Sequence, residues 1–203
     1  MEFRPFSKIP RLRRGMVITE KIDGTNASVS IDPGYPDEPN VIATARIDGT
    51  DMNMRAGSRT RWLTPQDDNF GFAAWAQKNA DELFALGPGH HFGEWYGRGI
   101  QRGYGMTDRA FALFNVGLWI EVESDRTNEA QRVVPAPVKV VPVLARSDVF
   151  DTNIIDVAIE RLQQHGSRIA PGYMKPEGIV IFHEAGGYLF KRTIEKDDQP
   201  KGA

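Results

Sequence analysis

The stretch TEKIDGTNASVSI, Thr19–Ile31, sets a lysine beside a tight turn between two strand-like segments. Before the turn, Met16–Lys21 is rich in β-branched residues, and after it alanine, valine and isoleucine alternate with serine. That alternation is the period of a half-buried strand, and Asp23-Gly24 is a turn signal. The pattern alone allows two interpretations: an ordinary hairpin with a solvated lysine, or a lysine held at a strand end as a nucleophile.

The length and composition fit one large globular domain or, less favoured, two small ones. The chain has 203 residues, of which 40% are hydrophobic, and its formal net charge is -2, so it can bury a core but has no global basic field. A nucleic-acid partner would therefore be held by local clusters of basic residues. The absence of cysteine excludes disulfides and cysteine-bound zinc. With no signal-like or membrane-length apolar segment, we expect a cytoplasmic protein and no membrane.

Strand patterns dominate the rest of the chain. Predicted strands are Met16–Lys21, VIATAR, HHFGEWYG, RAFALFNVGLW and VKVVPVLARSDV, and a hairpin of GIVIF and YLFKR, while residues 47–65 are predicted as a loop. Helical spacing predicts two helices, Phe72–Phe84 and Ile154–Leu162, each stopped by glycine. Because strands and helices do not alternate as βαβ units, the pattern indicates an α+β fold with mainly antiparallel sheets flanked by helices.

Several common chemistries are excluded. The sequence has no P-loop, GRGIQRG does not fit a dinucleotide-binding loop, and the histidines lack metal-binding spacing. What remains is a set of charged residues at strand ends beside small residues, namely Lys21, Glu94, Glu177 and Lys191. Any one of them would most often be a solvated edge residue, but the four in this order are improbable by chance.

The order of these four residues resembles the order of sequence motifs in a known family. The segment Lys21–Asn26, KIDGTN, is similar to the K-x-D-G signature of the covalent nucleotidyltransferases, the superfamily of polynucleotide ligases and mRNA capping enzymes. The asparagine after DGT resembles the RNA ligase 2-like branch, and so do GSRTRWLTPQDDNFGF, FGEWYGRGIQRGYG, FALFNV, EGIVIF and FKRT. The resemblance covers residues 16–195.

The resemblance implies a nucleotidyltransferase domain of the ATP-grasp-like ligase adenylation type. We expect residues 1–15 to form a basic N-terminal arm, residues 16–195 the adenylation domain and residues 196–203 a polar tail, with no OB-fold or C-terminal domain. The implied enzyme is an ATP-dependent, AMP-forming RNA ligase that joins 5′-phosphate and 3′-hydroxyl RNA ends through lysyl-AMP. The size fits a compact, phage-like enzyme of RNA repair. We expect it to act as a monomer in the cytoplasm, which is the host's if the protein is phage-encoded.

The resemblance also implies catalytic roles. Lys21 would attack the α-phosphate of ATP, with Lys191 and Arg59 near the transferred phosphate. A lysine attacks only as the neutral amine, so burial or nearby positive charge is needed around it. Glu177 would hold Mg²⁺ or Mn²⁺, because magnesium sites in phosphoryl-transfer enzymes combine few carboxylates with phosphate oxygens and waters.

Nucleotide and RNA contacts follow from the same resemblance. The nucleotide would be bound by Glu20 at the adenine amino group, Phe114 on the adenine ring, Glu94 at the ribose, and Ile22 and Asn26 within the motif. From the residues alone, a core aromatic is the favoured interpretation of Phe114. The RNA would be bound by Asn26, Arg55, Arg59, Arg61, Arg98 and Arg102, where solvated surface charges are the alternative.

Two positions depart from the family pattern. Thr193 stands where a second lysine is usual, so Arg192 or Lys196 would have to supply the second basic contact to the α-phosphate. Asn115 stands where aspartate is usual. These departures keep open a nucleotide- or RNA-binding module that has lost sealing activity. A DNA ligase of the same superfamily is the other alternative, and a partner protein could supply a further domain.

Overall fold

The computed structural model describes residues 1–195 and 197. It divides into two compact units, one formed by Met1–Lys21 with the chain from Pro142 onward, the other by Ile22–Val141. This division does not test the predicted arm and adenylation domain, whose boundaries stay predictions. The predicted tail, 196–203, lies outside the described residues except for Asp197.

Strands outnumber helices throughout the described chain. In order, the elements are β1 (Met16–Lys21), β2 (Thr25–Pro33), β3 (Ala43–Ile47), β4 (Thr50–Ser58), β5 (Trp62–Leu63), α1 (Phe72–Lys78), α2 (Ala80–Leu83), β6 (Gly89–Gly97), β7 (Arg109–Leu113), β8 (Trp119–Ile120), β9 (Arg132–Val133), β10 (Lys139–Val140), β11 (Val143–Ser147), α3 (Thr152–His165), β12 (Gly178–His183) and β13 (Tyr188–Thr193). None of the helices in this part of the chain is long and apolar enough to cross a membrane.

The first unit is a four-stranded antiparallel sheet in the order β11-β1-β12-β13, with α3 packed on one face. Helix α3 is capped at its N-terminus by Asp151, whose carboxylate accepts from the Asn153 amide at 2.9 Å. Its C-cap is Gly166, with φ 78°. Its apolar stripe and alternate residues of β1 and β12 form one core: Met16, Ile18, Ile155, Ala158, Ile159, Leu162, Ile179 and Ile181.

The second unit contains a seven-stranded sheet in the order β10-β7-β6-β2-β4-β3, with β5 alongside β4. All its pairs are antiparallel except β10 with β7. One face of the sheet is covered at α1, where Phe72 and Trp75 pack against Trp95 and Phe111 with ring centroids 5.0–5.9 Å apart. The other face carries the polar residues of the strands.

The α+β class and the antiparallel bias are confirmed, but the hairpin interpretation and several local predictions are wrong. β1 and β2 do not form a hairpin across Asp23-Gly24, because each pairs within a different sheet. The predicted loop 47–65 contains β4 and β5, whose buried residues include two methionines among charged neighbours. The predicted helix 72–84 is interrupted at Asn79, which separates α1 from α2.

Candidate functional site

Lys21 ends β1 and lies against a buried carboxylate. The antiparallel register pairs Lys21 with Gly178, the first residue of β12, and so brings Glu177 beside it. The Lys21 Nζ donates to Glu177 Oε2 at 2.6 Å, with 18% and 8% of the two side chains exposed. The lysine is therefore held in one place by strand pairing, and it is not the freely solvated residue of an exposed turn.

The register also fixes which residues share a face with Lys21. In the first unit, Lys21 is opposite Gly178, which is opposite Thr193, and Val180 is opposite Lys191. Directly paired residues project from the same face of a sheet. Lys191 and Thr193 therefore lie on the Lys21 face, and Thr193 occupies the position of the second lysine.

Arg192 lies on the opposite face. It pairs with Ile179, which pairs with Glu20, and its guanidinium donates to Asp156 of α3. The suggestion that Arg192 replaces the second lysine is therefore wrong, because consecutive strand residues point to opposite faces. Lys196, the other suggested substitute, lies outside the described residues.

Glu20 is buried beside the loop that follows α3. Only 1% of the residue is exposed, and its carboxylate accepts from Ser167 Oγ at 2.6 Å, Arg168 N at 2.7 Å and Ile169 N at 3.0 Å. Burial raises the pKa of Glu20, and these hydrogen bonds offset part of that rise. The predicted contact with an adenine amino group does not fit a carboxylate enclosed in this way.

In the second unit, the turn after Ile22 is held by the loop between β6 and β7. Asp23 accepts from Arg102 Nε at 3.0 Å through its carboxylate, and its amide donates to the Tyr104 hydroxyl at 2.7 Å. The Gly24 amide donates to Glu94 Oε1 at 3.1 Å. A Cβ on Gly24 would lie 2.4 Å from the Trp95 carbonyl oxygen, so glycine is required here by close approach to β6.

Three predicted nucleotide residues share one face of the seven-stranded sheet. Asn26 of β2 pairs with Glu94 of β6, which pairs with Ala112 of β7, and Phe114 follows two residues later in the chain. Phe114 is 39% exposed, which excludes the core aromatic alternative. Ile22, in contrast, is buried, so its side chain anchors the turn in the core.

The predicted RNA-binding arginines divide into two groups. Arg55 is paired with Asp32 and Glu38, each at 2.6 Å, and the exposed Arg61 is paired with Asp67 at 2.8 Å. Arg102 is bonded to Asp23, as described above. By contrast, the side chains of Arg59 and Arg98 form no hydrogen bond or ion pair among residues 1–195 and 197, so their charges are available to a ligand.

The donor set near Lys21 restricts how a divalent ion could bind. Among the described residues, no group of three or more histidine and acidic side chains could hold a metal. A single buried carboxylate, Glu177, fits an ion that takes most of its ligands from phosphates and water. It does not fit a metal enclosed by protein ligands alone.

Asn115 forms the turn after β7. Its Oδ1 accepts from the amides of Gly117 and Leu118, both at 3.2 Å. Asparagine and aspartate side chains both accept backbone amides in this way. The departure from aspartate therefore keeps the turn and removes one negative charge.

The sequence and the fold both have known relatives. Residues 14–193 match the family model described as RNA ligase, and the chain belongs to the RNA ligase family, which confirms the resemblance. Two solved structures of mutant Naegleria gruberi RNA ligase, one apo and one with AMP and Mn, each have 18% identity and a TM-score of 0.53, covering 89% of this chain and 49% of theirs. A third mutant, with ATP and Mn, has 20% identity, a TM-score of 0.51 and coverage of 90% and 50%.

At this identity the likeness establishes the fold alone. The chain spans about half the length of the solved structures that it matches. No curated protein matches the sequence.

Proposed function

We propose that this chain is an ATP-dependent RNA ligase that joins 5′-phosphate and 3′-hydroxyl RNA ends through an AMP carried on Lys21, in the setting of RNA repair. The observation that carries the proposal is the fixed position of Lys21, whose Nζ lies 2.6 Å from Glu177 on the sheet face that also presents Lys191. Membership of the RNA ligase family supports the substrate class.

In the first step, Lys21 Nζ attacks the α-phosphorus of ATP as the neutral amine. A nitrogen–phosphorus bond forms, the bond from the α-phosphorus to its bridging oxygen breaks, and pyrophosphate leaves. Glu177 Oε2 is within hydrogen-bond distance of Nζ and accepts the proton. Lys191, exposed on the same face, stabilises the negative charge that develops on the phosphate.

Glu177 would also hold a Mg²⁺ or Mn²⁺ ion, which would supply further positive charge to the phosphates when bound. Glu94 and Phe114 would contact the ribose and the adenine ring, since an accessible ring offers a stacking surface. With Glu20 enclosed, recognition of the adenine edge falls to other groups.

In the second step, an oxygen of the RNA 5′-phosphate attacks the phosphorus of the AMP on Lys21. A phosphoanhydride forms, and the nitrogen–phosphorus bond breaks to release Lys21 as the amine. In the third, a 3′-hydroxyl attacks that 5′-phosphate, and AMP leaves. Arg59 and Asn26 would contact the RNA ends in these steps, and Arg98 would add a contact to the phosphate backbone.

A second candidate function is a nucleotide- or RNA-binding module without sealing activity. It is favoured by one observation, the neutral Thr193 on the Lys21 face, where its amide donates to the Asp197 carboxylate at 2.8 Å. The position of the family's second lysine then carries no charge.

A sealing assay tests the proposal. The protein is incubated with ATP, Mg²⁺ and end-labelled RNA that carries a 5′-phosphate and a 3′-hydroxyl, as single strands and as a nicked duplex, and a joined product is expected. A matched nick with a deoxyribose 3′-hydroxyl distinguishes a DNA ligase. Absence of any joined product with all substrates, while ATP or RNA still binds, would support the binding module instead.

A further inference from the structure

A groove on the polar face of the seven-stranded sheet is not used by the proposed chemistry. It lies wholly within the second unit and has a volume of about 700 Å³, within the range of roughly 300–1,000 Å³ that small-ligand sites occupy. Its main lining side chains are Ser30, Asp32, Arg55, Trp62, Pro88 and His90. We call this the Trp62 groove.

The groove offers a flat aromatic surface beside small residues. Trp62 is 40% exposed, and a Cβ on the paired Gly57 would lie 3.5 Å from its ring. The ring therefore covers the glycine while part of it faces solvent. Across the sheet, the rings of His90 and Phe92 are stacked with centroids 6.1 Å apart, so the same face carries a second aromatic surface.

The polar groups of the groove are already ordered. Ser30 Oγ and His90 Nδ1 are 2.6 Å apart, and Arg55 donates to Asp32 at 2.6 Å. The Arg55 charge is balanced by Asp32 and Glu38, so the lining has no excess of positive charge. Such a lining suits a flat heteroaromatic base, which stacks and forms hydrogen bonds through its edge, better than it suits a phosphate.

The groove is continuous with the residues proposed to act on RNA and nucleotide. Along β2, Asn26 and Ser30 have the same orientation, because they are separated by an even number of residues, and they are opposite Glu94 and His90 of β6. Four residues of a strand span about 13 Å, a distance that a short single strand can cover. Arg59, on the turn between β4 and β5, carries an available charge close in sequence to Trp62.

From this arrangement we propose that the Trp62 groove binds a base of single-stranded RNA near the end to be joined, by stacking on Trp62, with the base edge toward Asp32 and His90. This inference rests on the proposed function, because it assigns the path of the RNA substrate. The inference predicts that the affinity for RNA depends on stacking of bases as well as on the charge of the RNA phosphates.

The test compares Trp62→Ala and Trp62→Phe with the wild type. Binding of a fluorescent, 5′-phosphorylated single-stranded RNA of mixed sequence is measured by anisotropy at several salt concentrations. Covalent transfer of AMP from ATP is measured without RNA. Tyr188→Ala, which removes an exposed aromatic on β13, is the matched control.

We expect Trp62→Ala to weaken RNA binding about tenfold, as loss of one stacked base does, and Trp62→Phe to keep most of the affinity. The slope of log K against log salt should not change, since the cationic groups that bind phosphates are all retained. AMP transfer should stay within about twofold of the wild type, because Trp62 takes no part in that step.

Unchanged RNA binding in Trp62→Ala would overturn the inference. So would a parallel loss of AMP transfer without RNA, since the groove would then serve the fold or the first chemical step. If no variant transfers AMP but RNA binding still depends on Trp62, the groove stands and the proposed ligase function fails.

Discussion

Lys21 shares its sheet face with the cationic Lys191 and with the neutral Thr193. The proposed first step transfers charge to the α-phosphate, and preorganised cations lower the energy of that transition state. Arg192 cannot contribute, because it projects toward Asp156 on α3. A lysine at position 193 would add a cation to this face.

We predict that Thr193→Lys raises the rate of Lys21 adenylylation by about tenfold, less than the roughly 10²–10³ that loss of an evolved donor costs. Single-turnover labelling with α-labelled ATP measures this rate. Arg192→Lys, which changes the opposite face, should leave it nearly unchanged. An equal gain from both variants, or none from Thr193→Lys, would contradict the assignment of faces.

Glu20 gives a second prediction, on stability and its dependence on pH. Burial raises the pKa of this carboxyl, so the folded state binds more protons than the unfolded state, and stability falls as the pH rises above the ordinary glutamate range. The Ser167 hydroxyl offsets part of this loss by donating to the ionised form.

We therefore expect Ser167→Ala to reduce the free energy of unfolding by about 1–3 kcal/mol near neutral pH, the usual cost of leaving a buried acceptor unsatisfied. The cost should shrink at acidic pH, where the carboxyl is protonated in the folded state. Urea unfolding followed by circular dichroism at both pH values measures the difference. A cost that does not depend on pH would show that Ser167 acts by packing alone.

At the scale of elements, the loop between β6 and β7 holds the turn that follows Lys21 in sequence. Arg102 and Tyr104 both bond to Asp23, and Glu94 at the middle of β6 bonds to Gly24. Arg102 is partly buried in its ion pair. Its first role is thus to position the motif, whatever contact it makes with RNA.

We predict that Arg102→Ala slows AMP transfer about tenfold without RNA present, because small displacements of a catalytic group are costly in rate. Arg98→Ala, on the same loop but without a side-chain partner among the described residues, should not slow it. Arg102→Lys should recover part of the rate through the remaining charge. If both alanine variants behave alike, the Asp23 contact has no positioning role.

The elements that sequence patterns predicted well are those with local signals. The bounds of β1, and the presence of helix α3 and of the β12–β13 hairpin, follow from periodicity and glycine stops. A hairpin of β1 and β2 was one of the two interpretations because the turn signal between them is local. Their actual partners, Gly178 for Lys21 and Glu94 for Asn26, are distant and leave no local trace.

The candidate site shows the same limit. The order of the motifs pointed to Lys21 and Glu177, but nothing in the sequence indicated Ser167 or Tyr104. Their hydrogen bonds join residues 147 and 81 positions apart. The strand register, once known, explains why Arg192 is no substitute for a lysine and why Glu20 turns inward.

For the whole molecule, the net charge of -2 means that the proposed binding of RNA depends on local basic groups. Residues 1–14 contain five lysines and arginines and one acid, and most of the family match lies after them. The Leu12 carbonyl oxygen is 2.8 Å from His183 Nε2, so the end of this segment is tied to β12 while the residues before it are exposed.

Removal of residues 1–11 deletes Arg4, Lys8 and Arg11. We expect the slope of log K against log salt for single-stranded RNA to fall by up to about 2, from roughly 0.7 for each phosphate that is no longer neutralised. AMP transfer without RNA should be preserved. An unchanged slope would mean that the segment is a solvated arm and does not contact RNA.

The most direct test of the central claim is covalent labelling of the protein by ATP. The wild type is incubated with α-labelled ATP and Mg²⁺, denatured and analysed for retained label, beside Lys21→Ala and Lys191→Ala. We predict label on the wild type, none on Lys21→Ala, and a rate at least about tenfold lower for Lys191→Ala, because it removes a phosphate-stabilising cation. Label that persists in Lys21→Ala would contradict the assignment of the nucleophile, and a wild type that binds ATP without covalent label would contradict the ligase mechanism itself.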